Sequence, residues 1–253
     1  MFDIHYKIKY HAISSPGNVR KNNEDNLFCG GKIISRSEST LVFSASGELD
    51  SRNNSLIAVF DGMGGEAKGD TASYLAAKSA IDIEFDSENL NTQMLNFIKD
   101  INRKVKDYAG RHNVEVMGTT FAGIIFSEKD VYIGNVGDSR VYRLHSGKIE
   151  QLSVDHSLPK ELAFGNIITQ YIGMGDNKDK FDPVVVFNGY CSHDRYIICS
   201  DGLYENLKDD EIGALCMVAE TVDDAADILM SQALDLGGND NITVIVCEVE
   251  LSS

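Results

Sequence analysis

Apolar runs in this chain end repeatedly on an aspartate. Leu56-Ile57-Ala58-Val59-Phe60 leads into Asp61-Gly62, residues 131–137 lead into Asp138, and residues 196–200 lead into Asp201-Gly202. Asp240 stands just before the apolar run at 242–249, and Glu24-Asp25 just before Leu27-Phe28. Short runs rich in β-branched and aromatic residues read as strands. A sheet of such strands gathers their ends along an edge. Each aspartate there either closes a turn in solvent or joins other carboxylates at one point. Asp-Gly after an apolar strand is first of all a hairpin-turn signal, and any one of these sites alone reads that way. Four or five together, in an acidic chain, favour convergence. Convergent carboxylates repel unless cations lie among them, and hard oxygen donors suit Mg²⁺ or Mn²⁺.

The remaining pattern is one of strands and amphipathic helices. Residues 2–10 alternate strictly between apolar and polar, which predicts a half-buried strand. Further strands are expected at 40–44, 55–60, 120–126, 130–136, 140–144, 184–187, 195–199 and 242–249. Met94, Phe97, Ile98, Ile101, Val105 and Tyr108 share one face of a helix over about 88–110. Ala72, Leu75, Ala76 and Ser79 mark another within about 66–84. Val222, Ala225, Ala226, Leu229 and Ala233 mark a third, with Asp223 and Asp224 at its positive end and Gly237-Gly238 as its stop. The order is strands, two helices, strands, two helices, a strand. Strand runs adjoin through turns such as Ser146-Gly147, so the sheets should be largely antiparallel. No linker, repeat or low-complexity tract divides the chain. The expectation is one α/β layered (α+β) domain over residues 1–253.

Charge and composition narrow the function. Of 253 residues, 39 are acidic and 23 are Lys or Arg, a formal net charge of −16. That makes nucleic acid a poor partner, and means that a site for phosphates would need bound cations. Five cysteines without CxxC spacing argue against a disulfide framework or a zinc site. No stretch approaches the roughly 18 apolar residues of a membrane span, and the N-terminus lacks a leader pattern. A cytoplasmic protein with no membrane partner is expected. Residues 64–71 nearly fit a phosphate loop, but Asp70 replaces its lysine with a negative charge. The glycines there are better read as letting backbone approach a metal site. There is no G-x-S-x-G, no H-E-x-x-H and no EF-hand loop, and the six histidines are scattered.

Six motifs then stand in a telling order: residues 20–26 (RKNNEDN), 59–65 (VFDGMGG), 118–120 (GTT), 134–140 (GNVGDSR), 200–202 (SDG) and 240–243 (DNIT). In this order and spacing the chain resembles the metal-dependent protein phosphatases of the 2C type, and most of all their bacterial branch, over about residues 8–250. The resemblance implies a four-layer αββα sandwich with two largely antiparallel central sheets and a two-metal site between its loops. Asp61 would bridge the two metals, Mn²⁺ or Mg²⁺, and the Gly62 carbonyl would bind the second. Asp201 and Asp240 would complete the first. Glu24 and Asp25 would lie beside the second, one of them as ligand, directly or through water. Asp138, with Asp201, would hold a weaker third ion, and Arg20 would grip the substrate phosphate. Paired cations can lower the pKa of a shared water toward about 7, and the hydroxide attacks phosphorus with no covalent enzyme intermediate. A guanidinium offers a planar fork to two phosphate oxygens.

The implied function is hydrolysis of phosphoserine and phosphothreonine on proteins by a monomer, with a serine/threonine kinase among the phosphorylated partners. The alternatives are a phosphatase fold that mainly docks a phosphorylated partner, and a metal hydrolase of another kind. Two departures bear on this. Met63 stands where many eukaryotic relatives carry His. Bacterial relatives commonly share this Met, and the leaving oxygen would take its proton from metal-bound water. Residues 158–165 are a short connector where the family has a longer mobile flap, and Gln170 stands where Arg is usual. A displaced flap at 174–190 is the competing alignment.

Overall fold

The structure, a computed structural model, describes residues 5–63, 68–158, 167–175 and 181–252. The chain begins with strands β1 (Tyr6–Ser15), β2 (Asn26–Phe28), β3 (Phe43–Asp50), β4 (Ser55–Phe60) and the short β5 (Gly62–Met63). Helices α1 (Gly69–Lys78) and α2 (Leu90–Arg111) follow. Next come β6 (Gly118–Thr119), β7 (Phe121–Phe126), β8 (Asp130–Val136), β9 (Arg140–His145), β10 (Lys148–Gln151), β11 (Val184–Gly189) and β12 (Arg195–Cys199). The chain ends with α3 (Asp201–Tyr204), α4 (Asp209–Val218), α5 (Val222–Asp235) and β13 (Ile242–Leu251).

Two antiparallel sheets dominate. One has the order β10-β9-β12-β13-β1-β3, the other β11-β8-β7-β4-β2, and β5 and β6 form a small third pair. Alternation within each strand splits the core into three apolar layers. Between the sheets lie Ile57 and Val59 of β4, Ile124 of β7, Ile198 of β12, and Ile245 and Cys247 of β13. The opposite residues of β4, Leu56, Ala58 and Phe60, face α1 and α2, which contribute Ala72, Ala76, Met94, Phe97, Ile98 and Ile101. On the other side, Ile197, Val244 and Val246 lie under α4 and α5, with Ile212, Cys216, Ala225, Ala226 and Leu229. The layers therefore run helix, sheet, sheet, helix, as the resemblance implies.

Boundaries differ from the sequence expectation in two places. The strand expected at 40–44 starts at Phe43 and runs to Asp50. The strand expected at 2–10 is described over Tyr6–Ser15; the helix expected within 66–84 spans Gly69–Lys78, inside those bounds. All five cysteines are free thiols; only Cys191 is exposed. Among the described residues, no helix is long and apolar enough to cross a membrane.

Candidate metal centre

The strand ends that carry aspartates meet at one end of the sandwich, and the loops between them are locked by side chains from the same motifs. Asp61 follows β4. Its N–H donates to Thr120 Oγ1 (2.9 Å), and its carbonyl accepts from the Thr120 N–H and the Thr119 hydroxyl (both 2.8 Å). Thr120 Oγ1 also bonds Ser139 Oγ at 2.6 Å, which ties Asp61 to the turn after Asp138. Gly62 is forced to be glycine: a Cβ there would overlap the carbonyl oxygens of Glu24 and Gly69. The loop after β1 docks on the start of β13. Asn241 Nδ2 donates to the carbonyls of Asn22 (2.9 Å) and Pro16 (3.1 Å), while Asn241 Oδ1 accepts from the Glu24 N–H at 2.7 Å. Asp201 opens α3, and Gly202 packs so closely on the Asn241 carbonyl that a Cβ would overlap it.

Every sequence-predicted ligand is brought to this end, at different depths. Arg20, Glu24, Asp61, Gly62, Asp201 and Asp240 line a cavity of about 460 Å³, together with Met63 and Ile168. A larger cavity of about 630 Å³, lined by Tyr10, Glu48, Asn53 and Phe85 among others, contains none of these residues. Asp138 is fully buried, and its carbonyl accepts from the Tyr204 hydroxyl at 3.0 Å. Asp25 is also buried and lies behind the cavity wall. Its Oδ2 accepts from Ser200 Oγ (2.8 Å) and Thr243 Oγ1 (2.7 Å). Behind it, Thr243 bonds Ser14 Oγ (2.7 Å), which accepts from Asn23 Nδ2 (2.8 Å). Arg20 is half-exposed and donates from Nη2 to Asp240 Oδ2 at 2.8 Å.

The electrostatics of this arrangement are unfavourable for a bare carboxylate cluster. Burial, then the charges of Asp25, Asp201, Asp138 and Asp240, push Asp61 well above the usual carboxylate range. Burial and then Asp138, Glu205 and Asp240 do the same to Asp201. Burial raises Asp25 to about 7, although the Thr243 and Ser200 hydroxyls oppose the shift. Glu24 is raised by burial and by Asp70, with Arg20 opposing. A divalent cation among these groups replaces mutual repulsion by attraction. Glycine at position 62 lets the carbonyls of Glu24 and Gly69 pack directly against the main chain at this point. The donor set, all oxygen, fits Mg²⁺ or Mn²⁺.

Several supporting residues had no role assigned from sequence. Thr119, Thr120, Ser139, Ser200, Asn241 and Thr243 all sit inside the six motifs, so a signal existed; Ser14 lies outside them. The short connector at 158–165 and much of the displaced flap at 174–190 fall on residues 159–166 and 176–180, which lie outside the described residues. Next to them, Thr169 N–H donates to the His156 carbonyl (2.7 Å), and Gln170 Oε1 accepts from the Asp182 N–H (2.6 Å).

The family model described as Protein phosphatase 2C matches residues 45–235. Serine/threonine phosphatase stp of Listeria monocytogenes is 30% identical over 93% of this chain and 94% of its own length. Serine/threonine protein phosphatase PstP of Mycobacterium tuberculosis is 29% identical over 96% of this chain and 45% of its own length. The crystal structure of the PstP catalytic domain in complex with two manganese ions superposes with a TM-score of 0.79 at 27% identity, covering 97% of this chain and 99% of that one. The chain belongs to the protein phosphatase 2C family. It is a serine/threonine protein phosphatase of the divalent-metal-dependent type.

Proposed function

We propose that this cleft holds two divalent cations, Mn²⁺ or Mg²⁺, and hydrolyses phosphoserine and phosphothreonine monoesters on proteins. The observation that carries this reading is the convergence of Asp61, Asp201 and Asp240 on one cavity, with Asp25 and Asp138 buried behind it. Asp61 would bridge the two ions, the Gly62 carbonyl would bind one, and Asp201 and Asp240 the other. Glu24 is the better ligand of the acidic pair, because it lines the cavity. Asp25 is enclosed, with one oxygen already taken by two hydroxyls. Its part is to hold the region behind Asp61. Asp138 and Asp201 would share a weaker third ion. Bound in such a site, divalent cations lower the pKa of water toward about 7 and offset the charge of a phosphate.

The chain's own residues supply the rest. Arg20 reaches the cavity and now holds Asp240. Its guanidinium would exchange that carboxylate for two oxygens of the substrate phosphate, a match in geometry that an ammonium lacks. Met63 has no proton to give, so the leaving serine or threonine oxygen takes its proton from water. The substrates would include the phosphorylated form of a serine/threonine kinase, and the enzyme would act as a cytoplasmic monomer. The test is release of p-nitrophenol from p-nitrophenyl phosphate, and of phosphate from a phosphothreonine peptide. Turnover should vanish in EDTA and return with Mn²⁺. Undiminished turnover in EDTA would overturn the proposal.

A further inference from the structure

The far end of the six-stranded sheet carries a second cluster of ligand-type side chains. β9 ends at His145 and β12 starts at Arg195; the two run antiparallel, with Arg195 opposite Leu144. Cys191 and Asp194 lie in the turn that enters β12. The carboxylate cleft is at the opposite ends of these same strands, since Asp138 precedes β9 and Asp201 follows β12. At about 3.3 Å per strand residue, the two places are on the order of 20 Å apart.

Asp194 is only 2% exposed. Arg143 donates to its Oδ2 from Nε (3.1 Å) and Nη2 (2.6 Å), and the Cys191 N–H donates to the same oxygen at 2.8 Å. That leaves Oδ1 facing His145, whose Nδ1 is 2.6 Å away. One ligand atom each from His145, Cys191 and Asp194 lies within 4.8 Å of the others. A tetrahedral zinc sphere, with bonds of about 2.0–2.3 Å, places its ligands roughly 3–4 Å apart, so small side-chain adjustments close it.

We propose that His145, Cys191 and Asp194 form a second cation site, for a borderline-soft divalent metal such as Zn²⁺. On binding, the metal would take the place of the proton between His145 Nδ1 and Asp194 Oδ1, and that proton would move to His145 Nε2, or to solvent where Nε2 already carries one. The Cys191 thiol releases its proton to solvent, and the fourth position remains open to water. Arg143 holds Oδ2 and so aims Oδ1, the service that outer-shell hydrogen bonds perform for a ligating carboxylate. A thiolate selects Zn²⁺ over Mg²⁺ or Mn²⁺, so the chain would sort its cations, hard ions to the catalytic cleft and soft ions to this end. The site would fasten the end of β9 to the turn before β12. Sequence spacing does not reveal it, because its three residues come from two separate segments and contain no CxxC.

Cobalt(II) tests this independently of phosphatase activity, because a cobalt–thiolate bond gives a charge-transfer absorption that oxygen ligands do not. The metal-free protein is titrated with Co²⁺ in excess Mg²⁺, which occupies the all-oxygen cleft. One equivalent should produce the thiolate band. Cys29, Cys199, Cys216 and Cys247 are buried, so the band reports Cys191. It should persist in Asp61→Asn, disappear in Cys191→Ser, and need at least tenfold more Co²⁺ in His145→Ala. Zn²⁺ should displace the band, and Cys191→Ser should keep wild-type phosphatase activity in Mn²⁺. Absence of the band in the wild type, its survival in Cys191→Ser, or full affinity in His145→Ala would overturn the proposal.

Discussion

Asp61 illustrates how a single side chain can oppose stability and serve chemistry. Half-buried and crowded by Asp25, Asp201, Asp138 and Asp240, its carboxyl is held well above the usual carboxylate range. Asp61→Asn removes one charge from that cluster and leaves an amide that cannot bridge two cations as a carboxylate does. Two opposite effects should follow in one variant. Phosphatase turnover at saturating Mn²⁺ should be lost, and the metal-free protein at pH 8 should unfold at a higher temperature than metal-free wild type. Wild-type-like turnover by this variant would refute the bridging role. Arg20 differs, because its pair with Asp240 is about half-exposed and such pairs contribute little. Arg20→Ala should therefore leave Mn²⁺ affinity nearly unchanged. Loss of a charge-assisted bond to phosphate, about 1.5–3 kcal/mol, should lower kcat/KM by about 10–150-fold. Calorimetry showing that Mn²⁺ affinity falls as much as kcat/KM would contradict the assignment.

Elements place these residues, and two substitutions separate placement from stability. Gly202 lets α3 touch the backbone of Asn241, beside Asp240. Gly202→Ala should drive Asp201 and Asp240 apart and weaken Mn²⁺ binding by about 10–100-fold, the usual range for disturbing a supporting shell. Thr221 caps α5: its Oγ1 accepts from the Asp224 N–H at 3.0 Å, and Asp224 Oδ2 accepts in return from the Thr221 N–H at 3.2 Å. Thr221→Ala should cost about 0.5–2 kcal/mol of stability, read by thermal unfolding, with Mn²⁺ affinity unchanged. The same contrast shows what was legible in the sequence. β4 stands out because both its faces are buried, one between the sheets and one under helices. β3 is an edge strand, FSASGELD, mostly exposed or half-exposed; past residue 44 its inward positions are Ala45, Gly47 and Leu49, two of them small, so its alternation was faint. β1 alternates only to Tyr10; from His11 onward both faces are covered or nearly so, because α5 packs across it. α4 was indistinct because Met217 and Val218 are exposed beside buried Cys216, which blurs its stripe. The ligands were visible through motif order; Ser200 and Thr243 stood inside the motifs too, but their convergence with Ser14 behind Asp25 was not legible. Ser14, Ser200 and Thr243 are ordinary strand-end residues until the fold brings them to one carboxylate.

At the scale of the whole molecule, a chain of net charge −16 concentrates part of its acid in one half-buried cleft. Stability, pH and metal are consequently linked. Burial pushes the Asp25 carboxyl up to about 7, against an ordinary value of 3.8, and raises Asp61 and Asp201 likewise. A carboxyl whose folded pKa is raised binds more protons in the native state than in the unfolded chain. Its contribution is fully present below the unfolded pKa and is lost as pH rises through the folded one. Between about pH 4 and pH 7, and higher for Asp61 and Asp201, these three groups make the metal-free protein progressively less stable. Carboxyls with lowered pKa, such as Asp50 at about 2, work the other way, but only at the acid end of the scale. Divalent cations bind the ionised form and reverse the sign at the site. The difference in unfolding temperature between Mn²⁺-loaded and EDTA-treated protein should therefore widen steadily from pH 5 to pH 8. Because both samples share every surface charge, subtracting one curve from the other isolates the cleft. Asp25→Asn should flatten the metal-free curve across pH 5–7. A gap that stays constant with pH in the wild type would mean that the buried carboxylates do not carry the linkage.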